Sequence, residues 1–165
     1  MTRSAVYAGT FDPLTLGHLD LIERSAEIFE HVTLAVAAES TKDALFTAEE
    51  RVGMAKAVVE ELGLANVTVE AFDGLLVEFA RRKDCRVLIR GLRAYSDFEN
   101  EFQMALTNRK LDPSIETLFM MPKEIHSYVS SSTVREVARF GGNIAGFVPG
   151  PVRRAIDVKF GRAAG

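Results

Sequence analysis

Cysteine is almost absent from the chain, since Cys85 is the only one among 165 residues. An intrachain disulfide and a cysteine-based metal cluster are therefore excluded, which suits a reducing compartment. Cys85 comes just before an apolar run, and we expect its thiol to be partly buried and inert.

Long apolar runs are also missing. The longest ones, such as residues 32–38, fall far short of the ~18 residues that a membrane-spanning helix needs. The first ten residues, MTRSAVYAGT, lack the apolar region of a signal peptide. We therefore expect a cytoplasmic protein without a membrane partner.

The chain has no excess of basic residues, because 20 Lys and Arg stand against 23 Asp and Glu, for a formal net charge of -3. Proteins that bind the phosphate backbone of nucleic acids carry surplus positive charge, so we expect no nucleic-acid partner.

The 47% hydrophobic and 26% charged residues are typical of a globular protein. The length suits one well-buried core, and we predict a single domain over residues 1–165.

Short apolar runs alternate with segments of helical periodicity along the chain. Apolar residues recur three or four positions apart, as at Leu19, Ile22, Ala26 and Phe29. Alternation of this kind favours parallel strands joined by right-handed crossover helices. We predict a Rossmann-like α/β fold: a five-stranded parallel sheet with helices on both faces, plus a C-terminal helix. The predicted strands are 5–8, 32–38, 67–72, 87–89 and 117–120.

Helix boundaries have their own signals. Residues 47–50 (TAEE) and 133–136 (TVRE) each have the pattern of a capping box, in which a threonine begins the helix and a glutamate follows three positions later. The glycines at 141–142 are expected to end the second of these helices. Pro149 and Pro151 are expected to open a final helix through Phe160.

Polar and charged groups follow each predicted strand. In open parallel sheets ligands bind beyond the carboxyl ends of the strands, so these groups should share one face. A hydroxyl, a histidine, a lysine, two arginines and two helix N-termini are suited to phosphates, and we predict a polyphosphate ligand. The segments concerned are 9–13 with Gly17 and His18, then Lys42, then 73–76, then 90–93, then 126–133.

The common phosphate loops do not account for this pattern. The chain lacks both the glycine-rich sequence that ends in Gly-Lys-Ser/Thr and the fingerprint G-x-G-x-x-G. The loops also lack a serine or cysteine nucleophile with a histidine and an aspartate. A different nucleotide-binding family is needed.

Two segments resemble the signatures of such a family. GTFDPLTLGH is similar to the first signature of the nucleotidyltransferase superfamily related to class I aminoacyl-tRNA synthetases, and SSSTVRE resembles the second. Within that superfamily, FTAEERVGMAKA and IRGLRAYSDFENEFQMALTNRKL resemble the phosphopantetheine adenylyltransferases, and the likeness extends over about residues 4–160. Leu16 and His126 depart from the pattern, since relatives often have Asn and Trp there.

The resemblance implies transfer of the adenylyl group of ATP to 4'-phosphopantetheine, with Mg²⁺, giving dephospho-coenzyme A and pyrophosphate. It also implies a homohexamer and feedback inhibition by coenzyme A. The implied catalytic residues are Thr10, His18 as transition-state stabiliser, and Lys42. The implied ATP-binding residues are Thr10, Phe11, His18, Gly91, Leu92, Arg93, Glu101, His126, Ser127, Tyr128, Val129, Ser130, Ser131 and Ser132. The implied phosphopantetheine-binding residues are Thr10, Lys42, Leu76 and Arg90, and no protein ligand for the metal is implied.

Physical chemistry supports a direct in-line attack without a covalent enzyme intermediate. The attacking phosphate monoester has a second pKa near ~6, so it is largely dianionic at neutral pH and needs no protein base. The protein must bring two anions together and supply positive charge around the α-phosphoryl oxygens. We expect His18, Lys42 and a helix dipole to supply that charge.

Plainer interpretations stay open for several residues. Lys42 can be a solvated surface lysine, and the serines can simply cap a helix. The two arginines of residues 90–93 can form ion pairs with Glu99 or Glu101 instead of contacting a ligand. The phenylalanines at positions 98 and 102 are expected to pack.

Two other functions also stay open. One is an adenylyl- or cytidylyltransferase that acts on another phosphate, such as nicotinamide mononucleotide. The other is a nucleotide-sensing module that binds ATP without turnover.

Overall fold

Five parallel strands form a single sheet at the centre of the molecule. The computed structural model describes residues 3–39, 43–93 and 95–162, apart from the side chains of residues 95 and 96. The spatial order of the strands is β3-β2-β1-β4-β5, and each neighbouring pair is parallel. The strands are β1 (Ser4–Gly9), β2 (His31–Ala37), β3 (Val67–Phe72), β4 (Val87–Gly91) and β5 (Glu116–Met120).

The central strands are buried on both faces, which explains their nearly continuous apolar sequence. Along β1, Ala5 and Tyr7 belong to one core, whereas Val6 and Ala8 belong to the other. Side chains alternate between the faces of a strand, so one short run serves both cores. The sheet therefore needs helices on each side.

Helices cover both faces of the sheet. The larger core contains buried residues from α1, α2, α5 and α6, and the smaller core contains residues of α3 together with Ile115. Helix α4 packs against α3 and β5. The helices are α1 (Leu16–Ile28), α2 (Ala48–Glu61), α3 (Leu76–Arg82), α4 (Tyr95–Leu111), α5 (Ser131–Arg139) and α6 (Gly150–Lys159).

The strand order reverses at β1. From β1 the chain builds outward through β2 to β3, then crosses back to place β4 on the other side of β1. Such a reversal opens a crevice at the carboxyl ends of the two strands that flank it, where ligands bind in open α/β sheets. Here the crevice lies beyond the ends of β1 and β4, at Gly9 and Gly91.

The predicted Rossmann-like α/β architecture is confirmed, and the strand limits differ from the prediction by at most two residues. Thr47 caps α2, and its hydroxyl accepts the Glu50 N–H. Helix α5 is followed by Gly141 in the left-handed region, with φ 78°, and Pro149 caps α6. In the part of the chain that the structure describes, no helix is long and apolar enough to cross a membrane.

One helix start was predicted wrongly. Helix α5 begins at Ser131 and not after Thr133, because Ser130 is extended and its hydroxyl accepts the Thr133 N–H at 3.1 Å. Four consecutive hydroxyl residues offer equivalent caps, so sequence alone does not distinguish them. The shift places the N-terminus of α5 three residues earlier, closer to the loop after β1.

Candidate active site at the carboxyl edge of the sheet

Two cavities meet at the crevice beyond β1 and β4. The first, about 360 Å³, lies beside the N-termini of α1 and α5. The second, about 410 Å³, lies between the loop after β3 and helix α4. Both are lined by Thr10, Arg90 and Glu101, so these residues stand where one cavity passes into the other.

The first cavity brings together most of the residues implied for ATP. They come from the loop after β1, the first turn of α1, the end of β4, helix α4 and the start of α5. Of the residues implied for ATP, those that line it are Thr10, Phe11, His18, Gly91, Arg93, Glu101, Ser130, Ser131 and Ser132.

Five residues implied for ATP line neither cavity. The Leu92 N–H donates to the Met120 carbonyl, and Val129 is buried. Tyr128 is exposed, with its ring edge-on to Phe147. His126 ends a short 3-10 helix and Ser127 caps it, and neither residue lines the cavity.

The second cavity contains three of the four residues implied for phosphopantetheine, namely Thr10, Leu76 and Arg90. Lys42, the fourth, lies outside the residues that the structure describes. Much of the remaining lining is apolar and comes from the end of β3 and from α4, as with Phe72 and Met104. This cavity suits a ligand with an uncharged arm and a polar end at Thr10.

A capping box holds His18 at the start of α1. The Thr15 N–H donates to His18 Nδ1 at 3.0 Å, and the Thr15 hydroxyl accepts the His18 N–H at 3.4 Å. A nitrogen that accepts a backbone N–H bears no proton in the neutral ring, so the proton is assigned to Nε2. The box thus fixes the helix start and leaves His18 an N–H donor for a ligand.

The environment of His18 keeps the ring neutral. Burial, followed by Arg93 and Arg90, lowers its pKa from 6.5 to about 3. The expectation that His18 supplies positive charge is therefore corrected: without a bound anion it is an uncharged donor. The charge beside it comes from arginines.

Ion pairs hold these arginines against helix α4. Arg90 binds Glu101 with two hydrogen bonds of 2.7 Å and also donates to the Ala8 carbonyl at 2.7 Å. Arg93 binds Asp97 at 3.1 Å. Of the two partners considered from the sequence, Glu101 is correct for Arg90, whereas Asp97 was missed. Pairing and ligand contact are compatible, since all four side chains line the first cavity.

The N-terminus of α5 is fastened to the loop after β1. The Ser131 hydroxyl donates to the Pro13 carbonyl at 2.8 Å, and Arg135 donates to the Asp12 carbonyl at 2.6 Å. These bonds place the first turn of α5 beside the first turn of α1. The positive ends of two helix dipoles therefore lie beside one cavity, an arrangement that favours anions.

Two residues that sequence reasoning missed position the loop after β1. Arg51 is 1% exposed and donates to the carbonyls of Thr10 at 2.8 Å, Ala37 at 2.7 Å and Phe46 at 3.2 Å. The buried Asp12 carboxylate accepts the Phe46 N–H at 2.9 Å. The sequence did contain a signal for Arg51. It is a charged residue four positions before Ala55, on the apolar face of α2, and a charged residue at such a position indicates a buried group with structural partners.

The cavities provide a poor donor set for a metal held by protein alone. Among the described residues, no three His, Cys, Asp or Glu side chains come together. The two carboxylates of the first cavity, Asp97 and Glu101, are already engaged by arginines. Mg²⁺ prefers six oxygen ligands in octahedral geometry, which these paired carboxylates do not offer.

Known proteins resemble this chain over nearly its whole length. Residues 6–137 match the family model described as cytidylyltransferase-like. A phosphopantetheine adenylyltransferase of Desulforudis audaxviator is 54% identical over 96% of this chain and 96% of its own. Enzymes of the same name from Methylococcus capsulatus and Methylacidiphilum infernorum are 51% and 47% identical, each over 97% of this chain and over 98% and 92% of their own.

The chain belongs to the phosphopantetheine adenylyltransferase family. The predicted family and the assignment as a nucleotidyltransferase enzyme are thereby confirmed. A solved structure from Vibrio parahaemolyticus, named as a nicotinate-nucleotide adenylyltransferase, has a TM-score of 0.73 at 18% identity and covers 98% of this chain and 94% of its own. That likeness shows the shared fold.

Replacing Arg51 should destabilise this member of the phosphopantetheine adenylyltransferase family. Arg51→Met leaves buried carbonyls without donors, so we expect the free energy of unfolding to fall by about 3 kcal/mol. Arg51→Lys keeps the positive charge but has fewer hydrogen-bond donors, so its free energy of unfolding should lie between those of the wild type and Arg51→Met. Urea unfolding at one protein concentration measures both, with Lys56→Met, an exposed change on the same helix, as control. Equal stability of Arg51→Met and the control would contradict the role.

The lowered pKa of His18 predicts a pH dependence of stability. Below the unfolded value of 6.5 the unfolded chain binds a proton that the folded ring refuses until about pH 3, so stability is lost as the pH falls through that window. The loss should be about 1 kcal/mol by pH 5, since the ring still meets solvent on its cavity side.

Comparison with His18→Gln isolates this effect, because glutamine can complete the capping box but does not titrate. The unfolding free energies of the two proteins, measured between pH 7 and pH 4.5, should diverge as predicted. If the unfolding free energies of the two proteins changed in parallel with pH, the pKa of His18 would not be lowered on folding.

Proposed function

We propose that this chain transfers the adenylyl group of ATP to 4'-phosphopantetheine, giving dephospho-coenzyme A and pyrophosphate. Relatives that share about half of its residues carry the name of that activity. The observation that supports it most is the pair of cavities that meet at Thr10 and Arg90. A reaction that joins two phosphorylated substrates needs two sites that open into each other.

ATP is proposed to occupy the first cavity. Its phosphates would lie between the first turns of α1 and α5, where His18 Nε2 and the hydroxyls of residues 130–132 offer donors. The part of the cavity lined by Leu21 and Gly91 would take the nucleoside. The flanking segment of residues 126–129, with Leu92, is proposed to contact the nucleotide once it is bound.

Phosphopantetheine is proposed to occupy the second cavity. Its phosphate would lie at the junction, in reach of Thr10 and Arg90, and the resemblance adds Lys42 as a further proposed contact. Its uncharged arm would run along the apolar wall that includes Leu76 and Met104.

The proposed chemistry is a single in-line displacement. An oxygen of the phosphopantetheine phosphate attacks the α-phosphorus, the bond to the bridging oxygen of the β-phosphate breaks, and pyrophosphate leaves. The nucleophile is already an anion, so the protein contributes alignment and hydrogen-bond donors. Thr10 and the neutral His18 would donate to the α-phosphoryl oxygens as negative charge builds there.

Several further properties are proposed on the strength of the resemblance. Mg²⁺ would arrive on the ATP phosphates, and coenzyme A would inhibit by occupying the substrate cavities. The cytoplasm is the proposed location, supported by the single cysteine. One sheet with a core on each face supports a single domain.

A homohexamer is also proposed, and the exposed apolar surface of α4 and β5 supports an assembly. Phe98 and Phe102 stack on each other at 5.5 Å but are each 46% exposed. The expectation that they pack is met by their contact with each other, while about half of each side chain stays exposed. Leu118 of β5, the strand that packs against α4, is also exposed, and exposed apolar groups on neighbouring elements favour an interface.

The activity is tested by mixing the protein with ATP, Mg²⁺ and 4'-phosphopantetheine and measuring pyrophosphate. Nicotinamide mononucleotide as alternative acceptor and CTP as alternative donor compare the neighbouring specificities. We expect turnover with ATP and phosphopantetheine to exceed the others. Folded protein that releases no pyrophosphate from this pair would overturn the proposal.

Removal of the His18 donor should affect rate more than affinity. For His18→Ala we expect kcat to fall by about 10² to 10³, the usual cost of losing one donor to a developing oxyanion, with a much smaller change in ATP affinity. His31→Ala is the matched control, since His31 begins β2 at the opposite end of the sheet and bonds Thr68. Equal activity of the two variants would refute the role of His18.

A further inference from the structure

Tyr7 is a buried tyrosine on the floor of the first cavity. It lies in β1, is 3% exposed, and packs its ring edge-on against Phe11 at 5.4 Å. Because alternate residues of β1 face opposite cores, the Tyr7 side chain lies on the α1 side of the sheet. It is therefore beneath the same cavity that His18 lines.

The Tyr7 hydroxyl makes no hydrogen bond with any residue that the structure describes. It lies at the cavity wall, 3.7 Å from the point where a Cβ would stand on Gly91. Among the described residues no fully enclosed side-chain oxygen or nitrogen lacks a hydrogen-bond partner, so the Tyr7 hydroxyl keeps access to the cavity that Tyr7 lines. A hydroxyl at such a place has a use if a ligand completes its hydrogen bonds.

The chemistry of this hydroxyl suits a donor to an uncharged ligand group. Burial raises the pKa of Tyr7 above its usual value, so the phenol keeps its proton at neutral pH. Phe11 lies between Tyr7 and His18, since its ring packs edge-on against the Tyr7 ring at 5.4 Å and against the His18 ring at 5.1 Å. Around Gly91 the lining includes Leu21 and Pro122, which cannot hydrogen-bond through their side chains.

We propose that the Tyr7 hydroxyl hydrogen-bonds the nucleoside part of the nucleotide in the first cavity. This assignment rests on the proposed function, because it takes ATP as the occupant. Gly91 takes part by having no side chain: a Cβ there would come within 2.8 Å of Leu21 Cδ1 and stand between the hydroxyl and the ligand. Tyr7 is thus a binding residue for the nucleoside and takes no part in bond making.

Tyr7→Phe tests this directly, because it removes one oxygen and keeps the ring. Equilibrium binding of ATP, AMP and inorganic triphosphate is measured for the wild type, for Tyr7→Phe and for Thr33→Val. The last removes a buried hydroxyl of the same sheet that lines neither cavity. Thermal unfolding of each protein without ligand shows whether it is folded.

We expect Tyr7→Phe to bind ATP and AMP about 3- to 10-fold more weakly, the usual worth of one hydrogen bond. Triphosphate affinity should stay unchanged, as should all affinities of Thr33→Val. Unchanged ATP binding by Tyr7→Phe, or an equal loss for triphosphate, would overturn the assignment.

The pyrophosphate assay separates this test from that of the proposed function. An active wild type with an unaffected Tyr7→Phe overturns only the role of Tyr7. A wild type that neither binds nor consumes ATP overturns both.

Discussion

A buried guanidinium organises the loops from which the site is built. Arg51 binds backbone carbonyls at the carboxyl ends of both β1 and β2, including those of Thr10 and Ala37, and burial lowers its pKa despite the nearby Asp12. A charge buried this deeply is tolerated only when its donors are well satisfied. The loops are therefore fixed relative to each other, and Thr10 is held at the junction of the two cavities. The remaining features of the site depend on that position.

The charged groups of the first cavity are already paired with each other in the protein without a ligand. The cations Arg90 and Arg93 are paired with carboxylates of α4, and His18 is neutral because burial and these same arginines disfavour its protonated form. Anionic substrates would therefore bind to hydrogen-bond donors and helix N-termini that are already oriented, beside arginines that the carboxylates hold in place. Preorganised donors cost no rearrangement when charge develops in a transition state.

The fold was predictable because its signals are local and repeated. Short apolar strands alternating with amphipathic helices specify a parallel sheet, and the carboxyl edge of such a sheet specifies where ligands bind. Thr10, His18 and Arg90 were therefore placed at one edge without coordinates. Helix α5 was misplaced at its start, since several adjacent hydroxyls compete to cap it and only the tertiary contact of Ser131 with Pro13 decides.

Other parts of the site depend on contacts between distant segments, which composition and periodicity do not encode. The bond from Arg51 to Thr10 joins residues 41 positions apart. Arg93 and Asp97 are only four positions apart, yet their pairing was missed because Arg93 lies in the loop after β4 and Asp97 in the first turn of α4. The protonation of His18 also required knowledge of what surrounds the ring, because the sequence gives its position in the helix and not its burial.

The central claim is that two cavities meeting at Thr10 and Arg90 bring two phosphorylated substrates together. The most direct measurement is a crystal structure with 4'-phosphopantetheine and an ATP analogue whose α,β-bridging oxygen is replaced by methylene. The account predicts one ligand in each cavity, with an oxygen of the phosphopantetheine phosphate about 3–3.5 Å from the α-phosphorus and in line with the bond to the methylene group. Ligands that share one cavity, or phosphates held farther apart than about twice that near-attack distance, would contradict it.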